Sequence, residues 1–155
     1  MPVEDIKNFL PVGDLLGTAG QPTEAQVREI AEAGYQVVVN LGLLDPRYCL
    51  PDEAGLVASL GMDYHHIPVK FDAPQFSDLE RFTQVMTACA GRKVFVHCAM
   101  NWRVSMFVAL DHQWRKVWSA EQADLHARVF WEPNEIWTHY LAECRQRMGR
   151  RNEDR

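Results

Sequence analysis

Apolar positions along this chain follow two alternating patterns: short continuous runs, and sets spaced three or four apart that are bracketed by helix start and stop residues. Thr23-x-x-Gln26 is a capping box, and the helix it opens is expected to stop at Gly34. The run Tyr35–Leu41 (YQVVVNL) that follows is rich in β-branched residues, the pattern of a strand covered on both faces. Residues 52–60 predict a short helix ending at Gly61, and Asp63–Val69 a second strand whose ladder Pro68 ends. Ser77-x-x-Glu80 repeats the capping pattern and predicts a helix to about Ala90, before Gly91. Lys93–His97 is a third apolar run, and Arg103 to Val117 returns to helical spacing. Ser119-x-x-Gln122 caps another helix, and Pro133 is expected in the first turn of the last one. Strands separated by helices predict an α/β fold: a single domain with a mainly parallel central sheet of four to five strands flanked by helices, and a helical C-terminal third. Residues 1–148 are assigned to that domain and residues 149–155 to a disordered basic tail.

At 155 residues the chain can bury a core without disulfides or metals. Its net charge of −5 supplies no global attraction to nucleic acid or anionic lipid, so neither is an expected partner and any anion site has to be local. Arg145, Arg147, Arg150, Arg151 and Arg155 cluster near the end, but Glu153 and Asp154 dilute them, which reads as a solvated helix end. Cys49, Cys89, Cys98 and Cys144 are scattered, with no C-x-x-C pair, arguing against structural zinc and for a reducing compartment. No apolar run approaches the roughly 20 residues that cross a bilayer. The opening MPVEDIKNFLPVGDLL lacks the basic start and apolar core of a signal peptide. The expected location is the cytoplasm, and no cofactor is expected.

Candidate chemistry concentrates in the stretch VFVHCAMNWRVS, residues 94–105. Cys98 falls between a strand and a helix, at the carboxyl end of a sheet where α/β proteins bind ligands. Free N–H groups and the dipole at a helix start seat an anion, and the same field favours the thiolate, the nucleophilic form of cysteine. Arg103 is placed to clamp two phosphate oxygens, and Ser105 to donate a hydrogen bond to the sulfur. His97 is expected to fix the loop rather than act as a base. A lone cysteine after a strand is more often a small buried hydrophobe; the added histidine, arginine and strand-loop-helix context favour the nucleophile.

VFVHCAMNWRVS resembles the phosphate-binding loop of the cysteine-based protein tyrosine and dual-specificity phosphatases, whose pattern is H-C-x-x-G-x-x-R-[S/T]. GTAGQPTEAQVREIAEAGYQVVVNL and GMDYHHIPVKFDAP are similar to bacterial phosphatase-like domains related to the beta-lactamase-hydrolase-like family. The likeness spans about Phe9 to Trp137. It implies that Cys98 is the nucleophile that forms a phosphocysteine, preceded by the matching His97. It implies a phosphate cradle of His97, Ala99, Met100, Asn101, Trp102, Arg103 and Val104, and a phosphorylated protein or small phosphoester as partner. It places a general acid at Asp72, on the loop after the strand ending near Val69. Asp78 competes, although its position just inside a capping box makes helix-start electrostatics the favoured explanation of it.

The chain departs from the pattern in its spacing: four residues, not five, separate Cys98 from the arginine. Either the loop keeps its length, Val104 takes the arginine position and Arg103 is one place early, or the loop is one residue shorter and Arg103 still points inward. Asn101 stands where the family has glycine and tolerates left-handed backbone. The shorter count also resembles rhodanese-type sulfurtransferases, and a displaced arginine would suit a pseudophosphatase that binds a phosphorylated partner. His97, the GQPT segment and Asp72 favour the phosphatase reading. Adjacent His65 and His66 point to opposite faces of a strand and make no metal pair. Trp102 is read as pocket mouth or packing, and Trp131 and Trp137 as pins for the terminal helices. A protective disulfide between Cys49 and Cys98 is conceivable, and no oligomeric state follows from the sequence.

Overall fold

Two of the three apolar runs form the buried centre of the sheet in a computed structural model that describes residues 2–153. β3 (Val37–Asn40) and β5 (Val94–His97) lie side by side in parallel, and all eight of their residues are buried. Alternation along the two strands feeds two cores. Val37, Val39, Val94 and Val96 face α3 (Phe76–Ala88), α4 (Trp102–Trp114), α5 (Ala120–Ala127) and α6 (Glu135–Glu153). Val38 and Phe95 face α1 (Glu24–Glu32) and α2 (Glu53–Ser59), against Val27, Ile30 and Val57. The strand order is β1-β2-β5-β3-β4, with β4 at Asp63–His66. β2, β5, β3 and β4 run parallel, and β1 (Leu10–Val12) turns back antiparallel on β2 (Leu16–Ala19). The α/β domain with a mainly parallel five-stranded sheet and a helical C-terminal part is therefore the fold expected.

Capping chemistry sets several boundaries as read. Thr23 and Gln26 exchange both bonds of their box, as do Ser119 and Gln122, and Gly34 and Gly61 follow their helices with φ of +92° and +79°. Other boundaries differ. α3 starts at Phe76, with its cap at Gln75, two residues before Ser77, because the Asp78 carboxylate accepts the Gln75 N–H at 3.0 Å. Glu80 instead pairs with Arg151 at 3.0 Å. Pro133 precedes the last helix rather than opening it; the cap is Asn134, whose side chain accepts from the Trp137 N–H at 2.9 Å. Pro68 does not end backbone pairing, since the Val69 N–H reaches the Leu41 carbonyl at 3.1 Å. The tail expected from residue 149 is, through Glu153, a continuation of α6, which the Arg151–Glu80 pair ties to α3. Asp154 and Arg155 lie outside the described residues.

The β1–β2 hairpin carries no strand-like signal. β2 reads Leu-Gly-Thr-Ala, and its glycine is required by packing: a Cβ on Gly17 would collide with the Tyr35 ring. α4 begins at Trp102 and is buried from Arg103 through Asp111, so it is a core helix enclosed by neighbours on every side.

Candidate active site

The loop from Cys98 to Asn101 leaves the carboxyl end of β5, between β2 and β3, and enters α4. Its shape is held from outside. The Gln21 N–H donates to the Ala99 carbonyl at 3.0 Å, and Asn8 Nδ2 donates to the Met100 carbonyl at 2.8 Å. The Ser105 N–H donates to the Asn101 carbonyl at 3.1 Å, and Ser105 Oγ to the Trp102 carbonyl at 3.0 Å. Gly20 lets its strand approach this closely, because a Cβ there would sit 2.6 Å from the Ala99 oxygen. Asn101 turns the chain with φ of +66°, and its Nδ2 donates to the Asn8 carbonyl at 2.8 Å and Thr18 Oγ1 at 3.2 Å.

The consequence is an asymmetry. The carbonyls of residues 99 to 102 are each bonded within the protein, whereas the backbone N–H groups of residues 99 to 104 have no protein partner among the described residues. Six successive unpaired donors at the start of a buried helix form an anion seat. Arg103 adds charge to it. Its side chain is 6% exposed, donates to the Val69 carbonyl at 2.8 Å and lies 5.8 Å over the Phe71 ring, with no carboxylate in salt-bridge range among the described residues. A buried guanidinium without a counterion is costly unless an anion supplies one.

Cys98, Ala99, Met100, Trp102, Arg103 and Phe71 line a cavity of about 180 Å³ around these groups. That volume accommodates the reacting group of a ligand rather than a whole drug-sized molecule. Larger hollows of about 350 and 420 Å³ lie by the Pro74 turn and beneath β1. The second holds Cys89, but the arginines there are already paired, Arg92 with Asp63 and Arg115 with Asp111.

The structure thus brings Cys98, Ala99, Met100, Trp102 and Arg103 together and answers the question of loop length. Arg103 faces the thiol's cavity, while Val104 is buried in the larger core and contributes only its N–H, so the loop is one residue shorter. Ser105 departs from expectation: its hydroxyl bonds back to the helix's own first turn and not to sulfur. Asp72 is exposed on the turn closed by the Ala73 N–H to Lys70 carbonyl bond, one residue from Phe71, and makes no hydrogen bond to the loop. Asp78 is engaged by the α3 start; burial raises its pKa, against the opposing Gln75 N–H and Arg81 charge.

Behind the loop, His97 is fully buried, with Nε2 2.6 Å from Glu53 Oε2; Glu53 Oε1 accepts from Gln21 Nε2 at 3.0 Å. Burial would raise the Glu53 pKa, but the His97 charge, the bonds from His97 and Gln21 and the His66 charge outweigh it and hold it low. The sequence reading missed Glu53, which follows the Asp52 cap and looks like an ordinary first-turn carboxylate. Gln21 was visible only within the GQPT segment, and Asn8 carried no signal.

Other expectations resolve simply. His66 Nε2 bonds the Gly42 carbonyl oxygen at 2.7 Å, and no metal-holding cluster occurs among the described residues. All four cysteines are free, Cys49 included. Trp137 Nε1 donates to the Phe71 carbonyl at 2.8 Å, pinning α6 to the Asp72 turn, and Trp102 stacks on Trp131 with centroids 5.0 Å apart. No helix among the described residues is long and apolar enough to cross a membrane.

The profile of the family described as "DSP-PTPase phosphatase fused to NAD+ Kinase" matches residues 14–140. The chain belongs to this phosphatase family. No curated protein matches it. Among solved structures, a Shewanella putrefaciens CN-32 protein described as a candidate DUF442 phosphatase is 29% identical. The match covers 94% of this chain and 96% of that one, with a TM-score of 0.84. Two more distant structures share the fold: PTPMT1 in complex with PI(5)P and Pseudomonas aeruginosa TpbA in complex with pTyr. PTPMT1 is 15% identical over 93% and 98% of the two chains, with a TM-score of 0.77. TpbA is 15% identical over 78% and 72%, with a TM-score of 0.64.

Proposed function

We propose that this chain hydrolyses phosphomonoesters through a phosphocysteine intermediate. The observation that carries the reading is the buried Arg103 beside Cys98, which among the described residues has no carboxylate partner and lies by six backbone N–H groups with no protein acceptor. In the first step the Cys98 thiolate attacks phosphorus, the phosphorus–oxygen bond to the leaving group breaks, and Asp72 gives that oxygen its proton. Arg103 and the loop N–H groups hold the three remaining phosphoryl oxygens as charge spreads over them. In the second step water attacks phosphorus, passes its proton to Asp72, and the sulfur–phosphorus bond breaks to release phosphate and the thiolate. Asp72 takes part by rotation of its side chain, which is exposed and has no hydrogen-bond partner among the described residues.

PTPMT1 and TpbA were solved with a phosphoinositide and with phosphotyrosine respectively. Phe71 and Trp102 on the cavity wall support an aryl phosphate as the first substrate to try here. The deciding experiment is phosphate release from an aryl phosphate in reductant, wild type against Cys98→Ser, with thiosulfate-to-cyanide sulfur transfer run alongside. Cys98-dependent phosphate release is expected. Sulfur transfer alone, or phosphate release that survives Cys98→Ser, would overturn the proposal.

A further inference from the structure

Glu53 is only 5% exposed although it opens a surface helix. Its carboxylate has partners on two elements, Gln21 Nε2 ahead of α1 and His97 Nε2 at the end of β5, and its charge also reaches Tyr64 on β4. His97 contacts acceptors at both ends. Nε2 is 2.6 Å from Glu53 Oε2, and Nδ1 is 3.4 Å from the carbonyl oxygen of Cys98. A neutral imidazole carries one N–H and can satisfy only one of the two; satisfying both takes a second proton.

We infer that Glu53 is a positioning residue that holds His97 as an imidazolium, so that both ring nitrogens donate and the backbone of Cys98 is fixed beside a buried positive charge. Its catalytic consequence rests on the phosphatase reading of Cys98. The proton comes from solvent, and the paired charges stay neutral as a unit, which makes their burial tolerable. Other groups facing the pair are few. His66 on β4 adds a charge when protonated, Tyr64 is kept a neutral donor by burial and by the Glu53 charge, which push it up to about 12, and Gln21 is uncharged. Across the loop stands the thiol itself. Glu53 thus acts through His97 and touches neither cavity nor substrate.

The first test needs no variant. Ring-nitrogen NMR shifts of His97 in the wild-type chain are followed to about pH 8, well above the ~6.5 at which an ordinary imidazole loses its proton. The doubly protonated pattern is expected to persist, and a single N–H at that pH overturns the inference whether or not the chain is a phosphatase. The second test compares the pH profile of kcat/KM for an aryl phosphate in wild type, Glu53→Gln and Glu53→Asp. Loss of a charge-assisted bond predicts a fall in kcat of about tenfold to a hundredfold for Glu53→Gln, with KM little changed. Its alkaline limb should move to lower pH, and Glu53→Asp should restore most of the loss. A folded Glu53→Gln variant with the wild-type profile also overturns the inference. Absence of any phosphatase activity would count against the proposed function and leave the NMR result to decide this one.

Discussion

Asn8 and Asn101 interlock: Asn8 Nδ2 donates to the Met100 carbonyl, and Asn101 Nδ2 donates back to the Asn8 carbonyl, both at 2.8 Å. Both residues have left-handed backbone, with φ of +52° and +66°. A turn near the N-terminus is thereby latched onto the phosphate loop. Asn101→Gly keeps the conformation and loses two bonds, while Asn101→Ala adds backbone strain of about 1–2 kcal/mol. Denaturant midpoints should rank wild type above Asn101→Gly above Asn101→Ala. Asn8→Ala strands the Met100 carbonyl and should cost about 1–3 kcal/mol.

Arg103 donates to Val69 while keeping the rest of its fork free for an anion. Arg103→Lys keeps the charge but cannot form two parallel bonds to one phosphate. Inhibition by vanadate should weaken by about tenfold to a hundredfold. An unchanged inhibition constant would show that the guanidinium does not bind the anion.

Asp72 is assigned the proton transfer on its exposed turn. Asp72→Asn should slow esters of poor leaving groups by about a hundredfold or more, and good ones much less, because only the former need protonation. Equal slowing of both classes would remove it from the acid role.

His126 lies at the α4–α5 interface, beside Trp118, with Nε2 buried and unbonded. Burial, and then the His112 charge, lower its pKa from 6.5 to about 4. The unfolded chain therefore takes up this proton first as pH falls. Stability from the neutral ring is complete above about 6.5 and is lost progressively down to about 4, by at most about 3 kcal/mol. Unfolding free energies over that range should fall less steeply for His126→Leu than for wild type.

The readable parts of this protein are those whose cause is local. The β-branched run at Val37–Asn40, the boxes at Thr23 and Ser119, and the glycines at 34 and 61 each place an element through neighbours a few residues away. The sequence alone also put Cys98 on a strand-to-helix loop and Arg103 at the start of the helix that follows. It misplaced the α3 start because Ser77 and Asp78 both have capping chemistry, and only the position of Gln75 decides which one is used. It could not see β2, whose Gly17 answers to the Tyr35 ring rather than to strand propensity. Tertiary structure alone decided that Arg103 turns into the cavity with no counterion among the described residues, that Ser105 bonds its own helix, and that Glu53 and Asn8 brace the loop. Glu53 and His97 are 44 positions apart, and Asn8 and Asn101 are 93. Contacts across such separations leave no periodic trace along the chain, because they arise only when burial on both faces of the sheet brings the segments together.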